Sequence, residues 1–190
     1  MYTYDELKEF VDHCHRCPLC QTRNHSVMGK GNLHGQILFI AEAPGYNEDR
    51  DGIPFTGKSG ELFDRLLEEI HMKRDEIYLT NIVKCHPPRN RDPFPEEQEA
   101  CIPYLKYETV LLRPKIIVCL GRIAAQRIIR SDYRITKEHG TFLERKNTWM
   151  TAVYHPSAVL RDATKLPQIQ EDFRTIRELL DQFSCDSEVK

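Results

Sequence analysis

A membrane-spanning run, a nucleotide-loop signature and a dominant charge are all missing from this 190-residue sequence. No apolar segment approaches the roughly 20 residues a membrane helix needs, so no membrane partner is expected. The N-terminus, MYTYDELKEFVDH, is acidic and amphipathic, which does not suit a secretory signal; a cytoplasmic protein is expected. Neither G-x-G-x-x-G nor a Walker loop is present, which disfavours the usual dinucleotide and nucleotide folds. There are no internal repeats and no low-complexity segments. The formal net charge of −2 argues against tight, indiscriminate binding to nucleic acid. It leaves room for a local basic surface. The stretch KCHPPRNR carries Lys84, Arg89 and Arg91, with His86 as a fourth charge when protonated, and no acid. The seven cysteines are an odd number, which fits a closed disulfide framework poorly and favours metal ligation.

What is present suits a soluble globular domain. A hydrophobic share of 40% and a charged share of 29% allow a good-sized core in one domain, expected over residues 1–183 with a polar tail at 184–190. The chain is organised around Ala41 to Asp64, AEAPGYNEDRDGIPFTGKSGELFD. The apolar run QILFI precedes it, and ELFDRLLEEI, with apolar residues at helical spacing, follows. A loop from a strand's carboxyl end into a helix is where an open α/β sheet places its ligand site. Prolines and glycines shape this loop, and it carries Glu42 and the aromatic Phe55, suited to a flat ring.

Further elements follow in order. Leu7, Phe10 and Val11 predict an N-terminal helix. Gln36–Ala41 is a strand, and a helix runs from about Ser59, its expected cap, to His71. Glu76–Val83 is a second strand with Asn81 near its carboxyl end. A helix begins near Pro95, favoured there by its ring and by Glu96 and Glu97. Lys115–Leu120 is a buried strand, followed by the helix RIAAQRII. Residues 133–143 read as irregular or short strands. Trp149–Tyr154 is the last strand, ending in His155-Pro156-Ser157, and Gln168–Phe183 is the terminal helix. Strands alternating with helices predict a parallel sheet covered on both faces. Glu42, Asn81 and His155 then meet at one sheet edge.

Cys14, Cys17 and Cys20 form two overlapping C-x-x-C pairs, which leaves open which two bind a metal. Zinc, iron–sulfur and redox use are all compatible with that spacing. Cys85, before a proline-stiffened loop, and Cys101, on the next helix, make a second pair. Cys119 reads as a core residue, and Cys185, in the polar tail, is not expected to be a ligand.

The ordered set C-x-x-C-P-L, M-G-K-G-N, A-E-A-P-G-x-x-E-D, G-x-P-F-T-G-K-S-G, T-N-I-V-K-C-x-P-P-x-N-R and H-P-S-A-V-L resembles the family 4 uracil-DNA glycosylases, the iron–sulfur members of their superfamily. The match runs from Cys14 to Leu160. The resemblance implies a three-layer α/β/α fold around a four-stranded parallel sheet. It implies a [4Fe–4S] cluster on Cys14, Cys17, Cys85 and Cys101, with Cys20 standing where relatives often carry His. It implies an enzyme that flips uracil out of DNA and hydrolyses its N-glycosidic bond, as a monomer on single- or double-stranded DNA.

By the same resemblance, Phe55 stacks on the extruded ring and Asn81 reads its edge. The backbone of Ala41, Glu42 and Ala43 lines the other side. His155 stabilises the uracil oxygen, while Glu42 positions water or stabilises the cationic sugar. Lys84, Arg89, Arg91, Ser157, Leu160 and Arg161 are the expected DNA contacts. Ala41 departs from a frequent Gly, and His86 from a frequent Arg. Two alternatives stand beside this reading. One is a non-excising or covalently trapping binder of uracil-DNA on the same fold, which an insertion rich in basic residues and His would mark; none is present. The other is an iron–sulfur redox or sensor protein.

Overall fold

The computed structural model describes residues 2–185. Along the chain come α1 (Tyr4–Asp12), β1 (Lys30–Gly31), β2 (Ile37–Ala41), α2 (Tyr46–Asp51), α3 (Lys58–Glu69) and β3 (Tyr78–Asn81). Next are α4 (Pro95–Leu112), β4 (Ile116–Leu120), α5 (Arg122–Ile128) and α6 (Ile135–Glu138). The chain closes with β5 (Leu143–Arg145), β6 (Thr148–Val153), α7 (Pro156–Arg161) and α8 (Leu166–Cys185).

The sheet is mixed and six-stranded, in the order β1-β3-β2-β4-β6-β5, which corrects the expected four strands. The four inner strands pair in parallel, and β1 and β5 are short antiparallel edges. Two- and three-residue edge strands hold too few residues for a period-two signal, which is why the sequence concealed them. From β2 the chain passes to β3 on one side and then to β4 on the other. That reversal opens a crevice at the carboxyl ends of the inner strands.

Both faces of β2 and β4 are buried, as their continuous apolar sequences require. Ile37, Phe39, Ile116 and Val118 pack with Leu62, Phe63 and Leu66 of α3 and with Phe173 and Ile176 of α8. Leu38, Ile40, Ile117 and Cys119 pack on the opposite face with Ile102 and Leu105 of α4 and with Ala124 and Ala125 of α5. Phe39 meets Phe63 edge-on at 5.0 Å and stacks on Phe173 at 5.8 Å. Truncating either phenylalanine to Ala costs about 3–5 kcal/mol.

Several local expectations need correction. Helix α3 is capped at Gly57 rather than Ser59, without a side-chain hydrogen bond. The segment after His155 is a helix, α7, with His155 itself as its cap. Helix α6 forms within the stretch read as irregular or short strands, and α2 inside the central loop. The terminal helix continues through Cys185, two residues into the expected polar tail; residues 186–190 lie outside the described residues.

The largest correction is Lys84. It does not face DNA: its side chain is 1% exposed and paired with Glu108 of α4 at 2.5 Å. Its ammonium also donates to Thr80 Oγ1 at 2.6 Å and to the Asn81 carbonyl at 2.7 Å. Glu108 further accepts from the Gly29 amide at 3.1 Å and the Tyr78 hydroxyl at 3.1 Å. Every charge in this buried group is hydrogen-bonded, the condition under which a buried pair is tolerated. Lys84→Met is expected to destabilise the protein by about 3–5 kcal/mol, because it strands the Glu108 carboxylate. Lys84→Met with Glu108→Leu should recover most of that loss. Denaturant melts of the two variants check this, and equal losses in both would contradict it.

Candidate active site

The carboxyl ends of the four inner strands open into a pocket of about 590 Å³, within the range of small-molecule sites. Glu42 and Ala43 follow β2, Asn81 ends β3, Gly121 and Arg122 follow β4, and Tyr154 and His155 follow β6. Parallel strands bring these ends together because they all point the same way.

Asn81 is 1% exposed, and its side-chain Oδ1 is buried without a hydrogen-bond partner. Leaving such a group unsatisfied costs about 1–3 kcal/mol, so the amide is poised for a ligand that donates to it. Its backbone is held by pairing opposite Ala41 and by the Lys84 ammonium on its carbonyl.

Phe55 lies against the pocket in a left-handed backbone conformation, φ 58°, which is rare for a bulky residue. Its ring centroid is 5.6 Å from that of His155 and 5.3 Å from that of Phe63.

His155 accepts a hydrogen bond at Nδ1 from the Ser157 backbone amide, at 3.1 Å. That bond makes Nδ1 the acceptor and leaves the ring proton on Nε2. Burial, and secondarily the charge of Arg161, push its pKa down to about 4. The imidazole is therefore neutral near pH 7 and still able to donate. Gly121, at φ 91°, lets the chain pass close by; a Cβ there would stand 3.0 Å from the His155 Cβ.

Glu42 is half-buried, and its pKa is pushed up to about 7. Burial is the main cause, the Asp92 carboxylate adds to it, and the Arg122 guanidinium opposes it. Asp92 itself pairs with Arg122 at 2.7 Å.

The rim is basic. Arg91, Arg122, Arg161 and Lys165 line it, with Arg91 held by Glu97 at 2.6 Å and lying 3.8 Å from the Phe94 ring centre. Ser157 also lines the pocket. Arg89 is exposed on the neighbouring loop, and Leu160 is a 48%-exposed apolar side chain on α7. Ala41 is not a pocket residue: it is fully buried in β2, and its carbonyl accepts the Ile82 amide at 2.9 Å. Tyr154, Asp92, Arg122 and Lys165 were missed by sequence reasoning. Arg122 had a readable signal, since it directly follows the apolar strand β4 and Gly121.

A second, smaller pocket gathers Cys14, Cys17, Cys20, Cys85 and Cys101 with Arg16, Arg23 and Tyr104. These cysteines are all free. The Lys84 amide donates to the Cys101 sulfur at 3.3 Å, and Arg23 to the Cys85 sulfur at 3.0 Å. Among the described residues no three candidate ligands converge on a single-ion position. Cys119 is apart from them, fully buried in β4.

Fold and site together define a class of α/β protein whose sheet edge carries a pocket with an aromatic face at Phe55, an unpaired buried amide at Asn81 and charged side chains of both signs around it. Comparison with known proteins agrees. Residues 28–181 match the Uracil DNA glycosylase superfamily. A Type-4 uracil-DNA glycosylase of Archaeoglobus fulgidus is 39% identical over 94% of this chain and 94% of its own. One of Thermotoga maritima is 39% identical over 85% and 88%, respectively. A Type-5 uracil-DNA glycosylase of Pyrobaculum aerophilum is 26% identical over 97% and 93%. The chain belongs to the uracil DNA glycosylase superfamily, within its type-4 branch.

The electrostatics of Glu42 can be checked directly. Its carboxyl should titrate near pH 7 by nuclear magnetic resonance. Asp92→Asn should move the midpoint down, because a like charge is removed, and Arg122→Ala should move it up. A midpoint near the ordinary glutamate value in the parent protein would contradict this assignment.

Proposed function

We propose that this protein is a uracil-DNA glycosylase of base-excision repair, hydrolysing the N-glycosidic bond of uracil in DNA to leave an abasic site. The observation that carries the reading is the buried, partnerless Asn81 Oδ1 beside the Phe55 ring. With Oδ1 at the ring N3 position, uracil supplies an N3–H donor to it and an O4 acceptor to Nδ2. Cytosine in the same pose places an acceptor against Oδ1 and a donor against Nδ2. A polar site rejects such a mismatch because its own buried groups go unpaired.

Extruding the base costs roughly a few kcal/mol of unstacking. Stacking on Phe55 returns about 1–3 kcal/mol. Ser157 and Arg161, with Arg91 on the pocket rim and Arg89 on the neighbouring loop, would hold phosphates, and the exposed Leu160 would fill the space the base leaves. Cleavage leaves the electron pair of the C1′–N1 bond on uracil. The neutral His155, with Nε2–H free to donate, stabilises the oxygen on which that charge gathers. Glu42, as a carboxylate, holds a water against C1′, accepts its proton as the oxygen bonds, and offsets the positive character of the sugar.

The sulfur-lined pocket fits an iron–sulfur group. All its candidate ligands are thiols, a donor set that suits zinc or iron–sulfur, and the type-4 relatives favour the second. Cys14, Cys17, Cys85 and Cys101 would hold a [4Fe–4S] cluster, with Cys20 outside the ligand set. Held there, the cluster would tie together the N-terminal segment, the turn after Asn81 and α4, a structural role. In this reading the protein acts as a cytoplasmic monomer of one domain.

Single-turnover excision from uracil-containing oligonucleotides tests the function and separates an enzyme from a mere binder or a redox protein. His155→Ala should slow cleavage by about 10²–10³-fold while DNA binding changes far less. Asn81→Asp should abolish uracil release, since a carboxylate repels O4. Parent-rate cleavage by Asn81→Asp would remove the amide from base reading. For the cofactor, the anaerobically purified protein should be brown and contain iron. Cys14→Ser should lose that colour and Cys20→Ser keep it; the opposite pattern would move the ligand set to Cys17 and Cys20.

A further inference from the structure

The ring of Phe55 is presented to the pocket by a strained backbone, and the structure shows what holds it from behind. Arg74, in the turn between α3 and β3, reaches under the central loop. Its guanidinium donates to the carbonyls of Pro54 at 3.2 Å, Phe55 at 2.8 Å and Gly60 at 3.4 Å. Nε and Nη2 also grip the Asp64 carboxylate on α3. The guanidinium carbon lies 5.9 Å from the Phe63 ring centre, and Phe63 in turn meets the Phe55 ring edge-on. Gly60 completes the device: a Cβ there would stand 1.9 Å from the Phe55 carbonyl oxygen.

We infer that Arg74 is a positioning residue for the base-stacking ring, its planar fork clamping the Pro54–Phe55 backbone so that Phe55 keeps the left-handed conformation that turns its ring into the pocket. A planar fork can serve several carbonyls and a carboxylate at once, and a lysine ammonium of the same charge cannot reproduce that geometry. Asp64 and Arg74 are both more than a third exposed, so solvent screens their attraction and the pair adds little to stability. Its consequence lies in geometry. A ring displaced by about 1 Å can lose up to about a hundred-fold in rate.

The inference rests on the reading that Phe55 stacks on uracil, and a double-mutant cycle tests the two separately. Single-turnover excision is measured for Phe55→Ala, Arg74→Ala and the double variant, with thermal midpoint and iron content recorded for each. Arg74→Ala should slow the parent by about ten- to a hundred-fold and slow Phe55→Ala by less than about two-fold, at nearly unchanged thermal midpoint. Arg74→Lys, which keeps the charge, should behave like Arg74→Ala and serves if the alanine variant folds poorly. Equal slowing in both backgrounds, or a parent rate in Arg74→Ala or Arg74→Lys, overturns the positioning role. A parent rate in Phe55→Ala instead overturns the stacking reading, and the inference with it.

Discussion

The buried Lys84–Glu108 pair is the interaction on which the rest of the molecule depends. Two opposite charges taken fully out of water cost several kcal/mol each unless every lone pair and proton is met. Here they are met by β3, through Tyr78, Thr80 and the Asn81 carbonyl, and by the β1 entry, through Gly29, around a pair whose members stand in the turn after β3 and on α4. The backbone amide of the same lysine reaches the Cys101 sulfur. One residue thus fixes the strand end that carries Asn81 and abuts the sulfur-lined pocket. The pair exerts its effect through geometry more than through net stability, since hydrophobic replacements of buried pairs are often neutral.

The two titratable groups of the pocket are set apart by opposite consequences of the same burial. Desolvation disfavours charge, so it raises the Glu42 carboxyl to about 7 and lowers His155 to about 4. The imidazole then remains a neutral donor across the working range, while the carboxyl stands where a modest change in Asp92 or Arg122 shifts its charge. Placing both beside an unpaired amide concentrates the molecule's strain and polar cost at one sheet edge. A close-packed apolar core on either face of the sheet supports it.

Much of this was legible in sequence. The runs ILFIA and IIVCL announced doubly covered strands, and parallel connection then required their carboxyl ends to share an edge. The loop glycines and prolines, with Phe55 among them, marked that edge as a site. Edge strands β1 and β5 were not legible, because two or three residues carry no period. Helix α2 was hidden inside a loop whose punctuation suggested only turns. Lys84 was misread as a surface cation because a run of basic residues looks the same whether or not one of them finds a carboxylate.

The sequence by itself determined the alternation of strands and helices, the family, the cysteine-rich segments and the residue types at each strand end. These depend on local periodicity and on ordered motifs, which a linear reading contains. Tertiary structure alone decided that Glu108, 24 residues beyond Lys84, buries its charge. It alone decided that Ala41 is sealed by the Ile82 amide, that Asp92 and Arg122 face Glu42, and that Arg74 lies under Phe55. Each of these is a contact between segments distant along the chain or turned by the sheet. Desolvation and charge pairing are set by distances in space, which no local pattern of residues specifies.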